Sequence, residues 1–295
     1  MPHDGGMKLA LSCLLLILAG TIAASACSGL NRGQPTATAP IVRSTVGEGS
    51  ALRTLRVVTY NVHMESTASI ATAVENNPKL AAADVLLLQE IEHHRDEGAS
   101  RAEQVAERLG MNAAYAPGYG LPGGGSHGVA ILSRVSLRDV EILELPYFNV
   151  VVNSARRVAL AATIELDGQD VRIFSVHLDN RINPSKRRRQ LGPVLQSAKN
   201  FSGSVVIAGD LNTSPFCWAV GLLPIPCGMQ DNAVERAARA SGMQTPLVGV
   251  GSTSKWLGMR LDAIYTRGFG ASASAVERTV TLSDHLPVWV DLQLI

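Results

Sequence analysis

Acidic, amide and imidazole side chains recur in this 295-residue chain where short apolar runs stop. "LRVVTYN" ends on Asn61, with His63 just beyond, and "DVLLLQE" ends on Glu90. "VRIFSVHL" carries His177, and "SVVIAGD" ends on Asp210, with Asn212 two further on. Asp262 lies at the start of "LDAIYTR", and Asp284 and His285 stand just ahead of "LPVWVDLQL". Unpaired charge is costly in a core, so these groups must be solvated, paired or metal-bound. Their number points to one polar site at one edge of the sheets, among the loops. The chemistry the set supports is hydrolysis at phosphorus. A hard ion such as Mg²⁺ takes oxygen ligands, one or two of them carboxylates, and Glu90 and Asn61 suit it. An Asp–His pair can orient an imidazole, and a carboxylate beside an amide can hold a water. A second imidazole can hydrogen-bond a phosphoryl oxygen or protonate the leaving oxygen.

The elements that must position these residues are short. Runs at 55–61, 84–90, 128–134, 158–166, 171–178, 204–210, 261–267 and 286–294 are rich in Val, Ile, Leu and Ala and bounded by turn residues, which predicts strands. Helical spacing appears at 68–76, 100–110, 184–200 and 231–242, the third interrupted at Gly192-Pro193. The runs 158–166 and 171–178, joined by "DGQD", read as an antiparallel hairpin. Strands with dispersed helices predict an α/β layered fold. In "GDLN", Leu211 faces opposite to its neighbours, so Asp210 and Asn212 share one side. Taken singly, each polar residue has an ordinary structural use: Asn61 capping a turn, Asp210 forming an Asx turn, Asp262 pairing with Arg260. Jointly they favour a site.

The amino terminus reads as targeting. From Met7, Lys8 precedes an apolar run over Leu9–Ala26 and then small residues up to Cys27, the layout of an export signal. "ASAC" followed by Ser28 and Gly29 resembles a bacterial lipoprotein cleavage box, with Cys27 as the lipidated residue; Ala24 departs from the usual Leu. Ordinary signal cleavage and an uncleaved membrane anchor are the other readings of this segment. Residues 28–53, polar and bearing Pro and Gly, read as a flexible linker, with the folded domain at 54–295. Export predicts an oxidising compartment, where Cys217 and Cys227 either form a disulfide or remain two buried thiols. The net charge of +1 is low for a protein that holds nucleic acid mainly through its backbone charge.

"TYNVH", "LLLQE", "GVAILSR", "FSVHLD", "GDLNTSP", "RLDAIYT" and "SDHLPV", in this order, resemble the motifs of the endonuclease/exonuclease/phosphatase superfamily. That superfamily includes deoxyribonuclease-I-like nucleases, AP endonucleases, neutral sphingomyelinases and inositol-polyphosphate phosphatases. The resemblance covers about 54–294. It implies a four-layer α/β/β/α sandwich of two mixed sheets flanked by helices. It also implies a Mg²⁺-dependent phosphoesterase, with Mn²⁺ as an alternative. Carried over, Glu90, with Asn61 nearby, would hold the metal and Asp284 would support it. Asp210 would activate or position the water and Asn212 would orient it. His285, oriented by Asp262, would serve the phosphate, and His177 would stand on the leaving-group side.

Two positions depart from the pattern. His63 stands where some AP endonucleases carry Asp. His127 falls near where deoxyribonuclease-I-like enzymes carry an acidic partner for the first histidine, which here is His177. The Gly-rich stretch 118–128 lacks the residues of a phosphate-cradling loop and reads as a lip of the cleft. "KRRRQL" reads as a solvated helix face, and Arg187 with Gln190 as structural. The loops 112–127 and 213–260 would choose the substrate, with Trp218 and Trp256 either facing it or packing locally. The expectation is an exported, lipid-anchored phosphodiesterase acting on a lipid head group. The alternatives are a secreted nuclease and a non-catalytic binding protein on the same fold. No protein partner is inferred, and the chain is read as a monomer.

Overall fold

Alternation along the strands builds two sheets around one shared apolar interior. The computed structural model describes residues 39–45, 53–150, 155–219, 223–226, 232–255 and 258–295. The signal at 1–27 with Cys27, and also Cys227 and Trp256, lie outside the described residues.

The first sheet is built from β1 (Ile41–Arg43), β2 (Leu55–Asn61), β3 (Val85–His94), β4 (Asn112–Gly120), β5 (Gly125–Ser133), β13 (Phe269–Val276) and β14 (Val288–Leu294). Its order is β1-β4-β5-β3-β2-β14-β13, with β2 and β3 parallel. The second comprises β6 (Arg138–Glu144), β7 (Val158–Leu166), β8 (Gln169–His177), β9 (Ser204–Asp210) and β12 (Asp262–Arg267). Its order is β12-β9-β8-β7-β6, with β8 and β9 parallel. A separate hairpin joins β10 (Phe216–Ala219) to β11 (Leu223–Pro226).

Val57, Leu87 and Ile131 from the first sheet pack against Leu160, Ile173 and Val206 from the second. The outer face of the first sheet, with Val58, Tyr60 and Leu88, is covered by α1 (Thr67–Glu75), α2 (Pro78–Ala81) and α3 (Arg101–Leu109) through Ile70, Leu80 and Val105. The outer face of the second, with Phe174 and Ile207, is covered by α4 (Pro184–Asn200) and α5 (Ala233–Ala240) through Leu191, Val194 and Val234. This is the expected α/β/β/α sandwich. Several boundaries follow local rules. Ser100 caps α3 in a capping box with Glu103, and Gly110 ends it in the left-handed conformation.

The structure departs from the sequence reading in several places, beyond the strands β6, β10, β11 and β13 that were not expected. The linker expected over 28–53 contributes β1, whose Ile41–Arg43 pairs with β4 along the sheet edge; Thr45 then hydrogen-bonds Asn112 and the Met111 carbonyl. The loop expected at 112–127 is mostly β4 and β5. The Gly-rich lip is the tight turn between them, where Gly125 has φ +98 and a Cβ would collide with the His93 carbonyl. α4 runs unbroken through Pro193, because Gly192 has no Cβ to meet the proline ring. Among the described residues no helix is long and apolar enough to cross a membrane.

Candidate active site

Asn61, His177, Asp210 and Asp262 continue the inward-facing series of their strands. On β9 the series runs Val206, Ala208, Asp210; on β8 it runs Ile173, Ser175, His177. Where the two sheets stop enclosing apolar side chains, polar ones take the same positions. Pairing then sets them side by side: His177 is the partner of Asp210, and Asp210 of Asp262, across three adjacent strands. Asn61 ends β2 opposite Gln89 of β3.

Glu90 needs a special device. The inward series on β3 is Val85, Leu87 and Gln89, so a regular strand would turn Glu90 outward. A register shift between Gln89 and Ile91 puts Glu90 at φ +55 and returns its side chain to the site. Of the six non-glycine residues with positive φ among the described residues, His63, Met64, Glu90 and Asn212 all belong to this edge. Strained backbone collects where function fixes it.

The hydrogen bonds join both sheets. Asn61 Nδ2 donates to Glu90 Oε1 and to Asp210 Oδ2, both at 3.0 Å. Asn61 Oδ1 accepts the His63 N–H at 3.0 Å, so this side chain turns its nitrogen to the carboxylates and orients Glu90. Asn212 donates its backbone N–H to Asp210 Oδ1 at 2.9 Å. Its amide donates to the Leu178 carbonyl at 2.8 Å and to Asp210 Oδ2 at 3.2 Å. His285 Nδ1 meets Asp262 Oδ2 at 2.9 Å, and its Nε2 faces Asp210 Oδ2 at 3.7 Å. Thr253 Oγ1 accepts the Asp262 N–H at 3.1 Å and steadies that end. Arg260 turns to Glu235 at 3.3 Å, so Asp262 serves the histidine.

Electrostatics follow from this crowding. Burial works against the His285 charge, but Asp262 and Asp210 hold its pKa well above the usual imidazole value. Burial, with Asp262 and Glu90 nearby, pushes Asp210 up, and His285 offsets part of this. Burial opposes the charge of Glu90, yet His127, His177 and the Asn61 amide hold its carboxyl well below the usual range. Burial and Arg157 hold His177 well below the usual imidazole value.

Five contributors escaped the sequence reading or were given no catalytic role in it. Arg157 Nη1 lies 3.2 Å from His177 Nδ1. The same Arg157 nitrogen lies 3.5 Å from His177 Nε2, which also faces Asp210 Oδ2 at 3.5 Å and Glu90 Oε1 at 3.8 Å. Asp179 Oδ1 holds the Arg157 Nε at 2.7 Å, and Gln190 on α4 donates to Asp179 Oδ2 at 2.7 Å. His127 is 3% exposed, stacks on Tyr119 and approaches Glu90 Oε2 at 3.9 Å. His63 Nδ1 meets Asp284 Oδ1 at 3.1 Å, and this hydrogen bond raises its pKa to about 9. Asp284 thus faces the site across His63. The only signal for Arg157 was its place just ahead of a strand leading to the site.

The donor set fits a divalent cation. Glu90, His177 and Asp210 present ligand atoms within 4.8 Å of one another, and so do Asp210, Asp262 and His285. Converging buried carboxylates call for neutralisation, and Glu90 with Asp210 offers the oxygen donors a hard ion takes. Cys217 is disulfide-bonded.

A sandwich whose two sheets jointly present paired carboxylates, amides and imidazoles at one edge defines a phosphoesterase class. The model of the Endonuclease/Exonuclease/phosphatase family matches residues 58–285, and the chain belongs to that family. Among curated proteins it is similar to a UPF0294 protein of Erwinia tasmaniensis, 24% identical over 81% of each chain. Among solved structures it resembles an endonuclease/exonuclease/phosphatase from Beutenbergia cavernae, with TM-score 0.65 and 21% identity over 82% of this chain and 72% of the other. It also resembles the catalytic domain of human Nocturnin with a bound sulfate anion, with TM-score 0.61 and 17% identity over 83% and 96%. At these identities the structural likeness concerns the fold.

Proposed function

We propose that the protein is an exported, divalent-metal-dependent phosphodiesterase that hydrolyses a lipid head group by attack of an activated water. The observation that carries the hydrolytic part is the convergence of His177, His285 and Asn61 on a single carboxylate, Asp210. The bound sulfate of the Nocturnin domain, a tetrahedral oxyanion in a fold-mate, supports a phosphoryl group as the ligand. The lipoprotein-like segment ending at Cys27 supports the membrane setting.

Glu90, oriented by Asn61, would hold Mg²⁺ or Mn²⁺. The ion would neutralise charge on the phosphoryl oxygens. Asp210, whose proton affinity is raised by burial and by its acidic neighbours, takes the proton of the attacking water, and Asn212 orients that water. His285, held charged by Asp262, donates from Nε2 to a phosphoryl oxygen. His177, with Arg157 beside its ring, donates from Nε2 on the leaving-group side.

A secreted nuclease is the second reading, favoured by the two imidazoles that face one carboxylate. The test is hydrolysis of phosphatidylinositol, sphingomyelin, plasmid DNA, RNA and bis(p-nitrophenyl) phosphate with Mg²⁺, Mn²⁺ or chelator. Lipid turnover that chelator abolishes is expected. Nicked plasmid without lipid turnover establishes the nuclease. No turnover of any substrate, unchanged by Glu90→Ala, establishes a binding protein.

A further inference from the structure

We propose that Arg181, laid against Trp218, forms a second anion subsite beside the phosphoester site and holds a second phosphate group of the substrate. The substrate class rests on the phosphoesterase reading. Arg181 is only 6% exposed. Its guanidinium lies 5.5 Å from the centroid of the Trp218 ring. Among the described residues no carboxylate pairs with it and no acceptor takes its N–H groups; burial alone acts on its charge, and lowers its pKa. The other buried arginines each have an acceptor, although Arg187 Nε has none of its own among the described residues. Arg157 has Asp179, Arg172 has Glu141 and Arg187 has the Ile182 carbonyl.

A buried cation without a counter-charge is costly. Beside it, Trp218 Nε1 is a donor buried without a hydrogen-bond partner among the described residues. Donors in excess and acceptors missing define a place for an anion. A guanidinium laid on an indole keeps its forked N–H edge for phosphate oxygens.

The position suits a substrate bound at the catalytic edge. Arg181 lies on the loop leaving His177, and Trp218 on β10, the strand that follows Asn212. The two loops are tied together. Asn183 Oδ1 accepts the Trp218 N–H at 2.6 Å, and the Asn212 amide donates to the Leu178 carbonyl at 2.8 Å. Lys186 and Arg189, over the Phe148 ring at 5.7 and 5.5 Å, add positive charge at the start of α4. Among the described residues neither has a carboxylate partner within ion-pair distance.

The test compares substrates that differ by one phosphate. The pairs are glycerophosphoinositol with and without a ring phosphate, and a thymidine dinucleotide with and without a 5′-terminal phosphate. Wild type is expected to prefer the doubly phosphorylated member of one pair by about tenfold in kcat/KM, the scale of one charge-assisted contact. The preferred pair tells a lipid source from a nucleotide one. Arg181→Met removes that preference mainly through KM, and Arg181→Lys keeps part of it. Because Arg181→Met deletes an uncompensated buried charge and keeps the apolar stem, its Tm is not lower than wild type. No preference in wild type, or an equal loss on both members of the pair, overturns the proposal.

If the chain hydrolyses nothing, the phosphoesterase reading fails and the subsite is still read by titrating inorganic phosphate against tryptophan fluorescence. A saturable change weakened about tenfold in Arg181→Met supports the subsite. Identical titrations in both proteins overturn it.

Discussion

Asp262 and His285 meet across the seam between the two sheets, with Oδ2 and Nδ1 2.9 Å apart. Asp262 opens β12 of the second sheet, and His285 precedes β14 of the first. The pair exists only when the sheets are packed. Asp262→Asn is expected to lower kcat by about 10²–10⁴-fold, the range for losing a positioned acid–base group, with the fold retained by circular dichroism. Activity within about threefold of wild type would remove this pair from the chemistry.

Glu90 reaches the site through a bulge at φ +55. Saturating Mg²⁺ at a hundred times its Kd is expected to stabilise wild type by about 2.7 kcal/mol. Glu90→Gln loses most of that shift while its metal-free Tm stays close to wild type. Scanning calorimetry with and without the ion reads both, and an undiminished shift in Glu90→Gln would place the metal elsewhere.

Arg157 touches His177 and is itself held by Asp179 and Gln190. Gln190→Ala, away from the reacting atoms, should lower kcat by about three- to tenfold with little change in KM, about 0.7–1.4 kcal/mol. Added guanidinium should restore part of the activity to Arg157→Ala. An unchanged kcat in Gln190→Ala would separate the α4 network from the site.

Gly209 lies on β9 at φ +151, and a Cβ there would collide with the Val176 carbonyl of β8. β8 and β9 carry His177 and Asp210 in register. Gly209→Ala is expected to cost about 1–3 kcal/mol or more from overpacking, read as a lowered urea midpoint. A wild-type midpoint would show that the strands separate freely here.

Asp84 has its carboxyl raised by burial, against the Arg56 N–H that donates to it at 2.7 Å. A carboxyl raised on folding binds its proton more tightly folded than unfolded. Stability therefore falls as pH rises from the ordinary aspartate range through the raised value, and stays lower above it. Asp84→Asn keeps an oxygen acceptor without the charge. Its Tm advantage over wild type should grow from acid to neutral pH, and a constant difference would contradict this.

Much of the site was legible because its residues end strongly apolar strands. Asn61, His177 and Asp210 follow Val and Ile at the strand period, so burial and polarity alternate visibly. Glu90 was legible as a residue, but the bulge that aims it was not, because periodicity places it on the wrong face. β4 and β13 went unseen because "NAAYAPGYG" and "FGASASAV" are built of small residues, Gly and Pro, whose strand preference is weak. Their neighbours in the sheet hold them in place. Arg157 was illegible because a long side chain reaches its target through space, beyond any local spacing.

The polar row is shared between two layers that adhere mainly through apolar side chains. Asn61 on one sheet grips Asp210 on the other, and Gln89 behind it grips Ser175 at 3.2 Å. The consequence is mechanical. A slide of one layer over the other by one residue would break these grips while leaving every strand pairing intact. Catalytic rate is therefore a gauge of interlayer alignment. Substitutions at Leu87 or Ile173, deep in the shared interior, would reach the chemistry by tilting a layer.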